Sequence, residues 1–325
     1  MISWKNLDRN YLLCIAVMAA FVLFPLFTPT FYLNVAILVF YFGALGSAWN
    51  IIGGMGGQLS LGHAAFVGIG AYTSTILFVK LGVPPVLGIF AGAALSALVA
   101  AFIGYLCFRL RGPYFTLGTI ALGEILLIMC NYWRSLTNGS MGLSLPAKYG
   151  FWNIIYQQLM SYYYLLMIFM VLCFFVGWYV KNSRLGAYLT AIKEDEVAAE
   201  SLGIDTFRMK MKAMLISAVL SSMGGTLYAQ YIRYIDPETT FDLMTSINMA
   251  LVAMIGGKGT VAGPIVGALI IVPVNELLRF WLGGSFEGLS YIIYAVIVIA
   301  VAVLMPEGVL TGVQRLSRRR KLATH

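Results

Sequence analysis

Charge is scarce in this sequence. Lysine, arginine, aspartate and glutamate make up 10% of its 325 residues, while 60% are hydrophobic and the mean hydropathy is +0.87. A soluble protein of this size has too little interior to hide that much apolar surface, which excludes an ordinary globular fold and leaves lipid as the solvent. Cysteine is scarce as well. Cys14, Cys107, Cys130 and Cys173 lie in or at the ends of apolar runs with no CxxC spacing, so they read as packing residues and not as a redox or metal set. Histidine occurs only as His63 and the terminal His325, and one histidine without neighbouring carboxylates or cysteines is not a metal site. No paired carboxylates and no nucleophile–base pairing stand at a usable spacing, which argues against catalysis. Nor is there a nucleotide site. The pattern G-x-x-x-x-G-K-[ST] needs Ser or Thr after the lysine, but Gly259 follows Lys258, and Val252 holds the place of the first glycine. The chain is therefore expected to bind no cofactor of its own.

What is present is long apolar runs. A helix needs about 20 apolar residues to cross the hydrocarbon core. The runs predict about ten spans, over 11–27, 31–52, 63–81, 85–108, 115–133, 161–180, 212–232, 243–257, 260–281 and 288–305. They fill the chain and leave no room for a second, soluble domain, so residues 1–325 read as one all-α, polytopic membrane helix bundle. Lys5 and Arg9 before the first run imitate a signal peptide, but Thr28-Pro29-Thr30-Phe31-Tyr32 offers no small-x-small cleavage site, so a retained span is expected. The net charge of +8 does not point to nucleic acid, because the basic residues sit between spans and at the tail. With the N-terminus in the cytoplasm, 16 of the 21 basic residues fall on the cytoplasmic side and 5 on the other. That positive-inside bias puts both termini in the cytoplasm.

The longest polar passage is 181–212, in which 11 of 32 residues are charged. Its middle, Glu194-Asp195-Glu196-Val197-Ala198-Ala199-Glu200-Ser201-Leu202-Gly203, predicts a short helix. Acids stand in the first turn, where the helix dipole favours them, alanines fill the body, and Gly203 stands where a left-handed cap is wanted. Such a helix is too short to hold itself, so the membrane domain behind it and a separate protein in front of it are expected to support it. The basic tail within 306–325, from Arg315 to Lys321, reads as a juxtamembrane cluster for anionic lipid head groups.

Two glycine-rich passages break the apolar pattern. One runs from Gly53 through Gln58 and Ser60 to His63. The other is Gly256-Gly257-Lys258-Gly259-Thr260, followed by Ala262-Gly263-Pro264. Both are either broken or re-entrant segments that line a path, or tight turns between spans. Glu124 lies mid-span in Phe115–Trp133, where a carboxylate costs on the order of 3 kcal/mol and should face the bundle interior or a wet cavity. It reads as a polar contact on a path or as a structural hydrogen bond. His63, among Gln58 and Ser60, is expected to bond backbone carbonyls at a helix break. Glu276 and Arg279, three apart on one helix, read as a local pair. The loop from Arg134 to about Gln158, with an interfacial segment near Phe151–Tyr156, and the acidic loop from Arg233 to Asp242 are either a joint docking surface or merely solvated.

Five passages together resemble LivM-type permeases of branched-chain amino-acid ABC importers, in the family's order. They are Gly57-Gln58-Leu59-Ser60-Leu61-Gly62-His63-Ala64-Ala65-Phe66, Gly123-Glu124-Ile125-Leu126, Ala191 to Ile204, Ile255 to Pro264, and Pro306-Glu307-Gly308. The resemblance implies a bacterial inner-membrane subunit. Its implied partners are two ATP-binding subunits that carry the ATP, a second homologous permease subunit and an extracytoplasmic substrate-binding protein. It implies that the short cytoplasmic helix docks on an ATPase through Glu194, Asp195, Glu196, Ala198, Ala199, Leu202 and Gly203. The importer pattern E-A-A-x-x-x-G is kept here as Val197-Ala198-Ala199-x-x-x-Gly203, without the glutamate. Candidate path residues are Gln58, Ser60, His63 and Glu124. Related permeases serve urea, short amides or other amino acids, and these substrates stay open. Two rivals stand beside this reading: a lone ion-coupled transporter using Glu124, and a membrane scaffold whose polar loop recruits a soluble protein.

Overall fold

A computed structural model describes residues 24–25, 28–110, 112–282, 287–304 and 308–312. The span expected over 11–27, apart from residues 24–25, and the basic run from Arg315 to Lys321 lie outside the described residues. Helix α1 (Thr30–Asn50) is apolar all round and carries a π-helical extension, Ile51–Met55. A helix with no polar face belongs in the centre. Accordingly, 83% of the apolar stretch within Thr30–Met55 is buried, and Trp49 has no exposed surface. Helices α2 (His63–Leu81), α3 (Pro85–Cys107), α4 (Pro113–Tyr132) and α5 (Leu159–Asn182) follow. After a short polar passage, α6 (Arg184–Glu194) and α7 (Glu196–Ser201), come α8 (Thr206–Ile232), α9 (Leu243–Gly257), α10 (Gly263–Leu282) and α11 (Glu287–Leu304).

Among the described residues, seven helical segments are long and apolar enough to cross a membrane: Thr30–Met55, α2, α3, α4, α5, Pro237–Gly257 and α10. The molecule is thus a multi-pass all-α membrane protein. Helix α8 is the longest at 27 residues, yet it falls outside that set. Beside Leu220 and Leu227, its buried positions carry Ser217, Ser221, Ser222, Thr226 and Gln230. Those small side chains let neighbouring helices approach closely, the packing that works where lipid removes the usual hydrophobic drive. A Cβ on Gly225 would collide with the Val67 carbonyl of α2, and one on Gly70 with the Ser222 carbonyl of α8. In contrast, α4 and α5 lie on the periphery, with 17% and 28% of their apolar stretches buried.

The loop after α4 and the loop after α8 are one structure. Strands β1 (Leu143–Ser144) and β2 (Tyr234–Ile235) pair antiparallel, Leu143 opposite Ile235 and Ser144 opposite Tyr234. Asn131 Nδ2 adds a 2.9 Å bond to Glu238. The segment near Phe151–Tyr156 is a turn closed by a Gly150–Ile155 bridge, with Phe151 and Trp152 exposed.

Three expectations need correction. The polar passage ends at Thr206 and not at 212, so Arg208, Lys210 and Lys212 are helical. The acid-rich helix does not begin at Glu194. That residue closes α6, and Asp195 is the extended residue that caps α7. Glu276 and Arg279 form no ion pair; among the described residues the ion pairs are Arg208–Asp205 and Lys210–Glu196.

Candidate functional site

Three neighbourhoods hold the residues singled out from sequence, and the first is α7. Asp195 Oδ1 accepts the Ala198 amide at 3.0 Å, satisfying one of the donors that a helix start leaves open. Gly203, at φ 82°, closes the other end, and the Ile204 amide returns to the Ala199 carbonyl at 3.1 Å. The inner face is fixed by charge. Lys210 Nζ lies 2.6 Å from Glu196 Oε1, over the Phe108 ring, and Lys210 is only 3% exposed. Thr206 Oγ1 donates to Glu200 Oε1 at 2.7 Å.

The candidate coupling residues therefore divide into two sets. Glu196 is half-buried and Ala199 is buried, so both hold α7 against the bundle. Glu194, Asp195, Ala198, Leu202 and Gly203 are exposed, and Leu202 is 81% exposed beside an exposed Val197. The outer face of α7 thus sets exposed Val197, Ala198 and Leu202 among exposed Glu194, Asp195, Glu200 and Ser201, and no other part of the described chain covers it.

The second neighbourhood joins the two glycine passages. Asn50, 1% exposed, donates through Nδ2 to the Thr260 carbonyl at 2.8 Å and accepts the Gly259 amide through Oδ1 at 2.9 Å. The first passage continues α1 as the π segment, turns at Gly57 (φ 72°) and runs extended to His63. Trp49 Nε1 donates to the Ser60 carbonyl at 2.7 Å. Both His63 nitrogens are engaged, Nδ1 with Ser60 Oγ at 3.0 Å and Nε2 with Ser217 Oγ at 2.8 Å. The Ser217 hydroxyl proton goes to the Ala48 carbonyl at 2.7 Å, so Ser217 must accept from Nε2. In the neutral ring the proton is then on Nε2, and Ser60 donates to Nδ1. His63 thus bonds the hydroxyls of Ser60 and Ser217. Ser60 and His63 are fully buried, while Gln58 is half-exposed.

The third neighbourhood is a shallow crevice where the extended segment meets α4. Thr116 Oγ1 donates to the Leu59 carbonyl at 2.7 Å, and Thr119 Oγ1 accepts the Leu61 amide at 3.2 Å. Glu124 lines this crevice with Leu61, Gly62, Ala64 and Phe241. It is exposed and has no hydrogen bond or ion pair among the described residues; of the two placements expected, bundle interior or cavity, it lies outside the interior and at this crevice.

Sequence reasoning missed Lys210 and Asn50. Lys210 counted only as a loop charge for topology. Had α8 been extended back to Thr206, helical spacing would have put Lys210 on the face of Thr206, Ala213, Met214 and Ser217, all buried. Asn50 closes an apolar run and carries no local signal of its distant partners. Near them, Lys181 Nζ donates to the Gly259 carbonyl at 2.6 Å. Burial, and then the neighbouring Lys193 charge, hold the Lys258 ammonium below the usual lysine range.

The branched-chain amino acid transport system / permease component family matches residues 31–302. The high-affinity branched-chain amino acid transport system permease protein LivM of Escherichia coli is 28% identical over 93% of this chain and 75% of its own length. LivH of Salmonella typhimurium, of the same printed description, is 24% identical over 83% and 91%. The fructose import permease protein FrcC of Rhizobium meliloti is 26% identical over 86% and 78%.

Proposed function

Because the chain belongs to the family of branched-chain amino acid transport permease components, we propose that it is the membrane subunit of an ATP-driven importer for branched-chain amino acids. The observation that carries this reading is α7, a six-residue helix pinned on one face by Lys210–Glu196 and left uncovered on the other, where Val197, Ala198 and Leu202 stand exposed among acidic residues. Such a helix has the geometry of a docking knob for an ATP-binding subunit. Glu194, Asp195, Ala198, Leu202 and Gly203 would meet that partner, while Glu196 and Ala199 would hold the knob in place.

The fuller assembly has two ATP-binding subunits, a second homologous permease subunit and an extracytoplasmic binding protein. ATP would act on the partners only. A second permease subunit also answers the position of Glu124. A bare carboxylate in the middle of a lipid-facing helix is costly, and a partner surface across a water-filled path removes that cost. On this reading Gln58 and Glu124 border the path, while Ser60 and His63 hold the extended segment in position. Residues 1–325 would form one permease domain of ten spans, with both termini in the cytoplasm, the coupling loop at 181–212, and the tail at 306–325 on anionic lipid. The FrcC match supports a second reading in which the cargo is a different small polar molecule, since overall similarity at this level does not fix the substrate.

Gentle extraction of the tagged chain with mass spectrometry of what co-purifies tests the assembly. ATP-binding subunits and a second permease are expected, and they should be lost in Ala198→Trp while the protein stays inserted. A chain that takes up branched-chain amino acids with no ATP-binding subunit, and stops when an ion gradient collapses, would overturn the proposal.

A further inference from the structure

We propose that Lys181, Lys193 and Lys258 together hold the phosphate of an anionic phospholipid whose acyl chains lie along the outer face of α5. The inference rests on the membrane reading of the chain and is independent of the cargo. The three lysines come from three elements and meet around one residue. Lys181, at the end of α5, donates to the Gly259 carbonyl at 2.6 Å. Lys193, in the last turn of α6, lays its stem along Gly57, and its Nζ lies 3.5 Å from where a Cβ on Gly259 would stand. Lys258 immediately precedes Gly259. Glu194 and Asp195 follow Lys193 in the chain, yet none of the three lysines forms an ion pair among the described residues. The mutual repulsion is already felt at Lys258, where Lys193 adds to burial in disfavouring the charged form.

Three uncompensated ammonium groups call for an anion, and α5 indicates which kind. On the side of α5 that ends at Lys181, Val171 and Trp178 are exposed and Phe174 is half-buried, at helical spacing, and they form an apolar stripe. Trp178, one turn before Lys181, is a residue that favours head-group depth. A lipid with its tails on that stripe brings its phosphate to Lys181. The loop after Lys258 closes the site from the side, since Val261 packs over Gly177 of α5. A protein carboxylate would use the lysines and leave the stripe unexplained.

The test is native mass spectrometry of the full chain with its co-purifying subunits, titrated with dioleoylphosphatidylglycerol or dioleoylphosphatidylcholine. The wild type should prefer the anionic lipid. The variant K181Q/K193Q/K258Q should lose on the order of a hundredfold in affinity, the usual effect of a basic residue at an anionic surface taken three times. K181R/K193R/K258R should keep it, and R318Q/R319Q/R320Q in the tail should leave this binding in place. If the triple glutamine variant aggregates, Lys193→Gln alone should lose about fivefold, because that exposed side chain keeps its stem on Gly57. Equal lipid affinity in the wild type and the folded glutamine variants would sink the proposal. So would inorganic phosphate binding at the triad without lipid preference, which would make it a soluble-anion site. Retained lipid with loss of a soluble subunit would assign the lysines to a protein carboxylate instead.

Discussion

Helices α1 and α4 are alike in sequence character and opposite in surroundings. Both are apolar and both are long enough to span a bilayer, but the chain buries 83% of the apolar stretch of Thr30–Met55 and only 17% of that of α4. Apolarity alone therefore does not say what a helix faces. The burial of α1 is explained by what packs on it. A Cβ on Gly46 would stand 2.9 Å from Val252 of α9, and Asn50 at its end ties down the second glycine loop. Helix α4 has Leu117, Ile125, Ile128 and Tyr132 exposed, and among them one carboxylate. One helix is the chain's own core, and the other is a surface that the rest of the described chain leaves largely uncovered.

The contrast extends to single charges. Lys210 and Glu124 both lie in helices, but Lys210 is enclosed and paired while Glu124 is open and unpaired. If the comparison is right, changes inside should damage the fold and changes outside should damage transport only. The largest effect is expected from Gly54→Val. A Cβ there runs into Asn50 Oδ1 and lies 2.7 Å from the Gly259 amide, so both glycine passages must move. Overpacking of this kind costs about 1–3 kcal/mol before the lost Asn50 bonds are counted. A monodisperse, wild-type gel-filtration peak from this variant would break the claim that α1 organises the core. Next is Lys210→Met, which leaves Glu196 without its partner. Loss of a fully buried pair costs about 3–5 kcal/mol, but Glu196 retains water access, so about 2 kcal/mol is expected. It should be read as a lower melting temperature and faster protease cutting near Asp195, with recovery in Lys210→Met/Glu196→Leu. The smallest effect on stability is expected from Glu124→Gln. Its melting temperature should match the wild type within about 0.5 kcal/mol, as for surface changes, while uptake falls about tenfold if the carboxylate borders the path, since one charge-assisted contact is worth roughly that much. Unchanged uptake kinetics would leave α4 as a lipid-facing helix.

Much of this architecture was legible before any coordinates. The apolar runs correspond to helices within a few residues from α1 onward, because a backbone in lipid must satisfy its own hydrogen bonds and has few alternatives. The C-terminal cap of α7 was legible too, since Gly203 acts locally, whereas Asp195 read as a first-turn acid and is the N-terminal cap. What could not be read was long-range and polar. Asn50 meets Thr260 across 210 positions, and Ser217 meets His63 across 154. Neither pairing leaves a periodic trace. For a related reason the sequence left open which placement Glu124 takes: burial rules for a membrane carboxylate allow the interior or a cavity, and only the fold puts it at the crevice beside Leu61 and Gly62.

Helix α8 closes the account in mechanical terms. Its first turns are bolted to α7 through Lys210–Glu196, and its far end runs into β2, part of the strap that binds the loops after α4 and α8. At 1.5 Å per residue its 27 residues make a strut of about 40 Å. There is no proline in it to absorb a bend. A push of a few degrees at one end of such a rod must sweep the other by about 3 Å. The short helix α7 and the β1–β2 strap are thereby geared to each other by a single continuous piece.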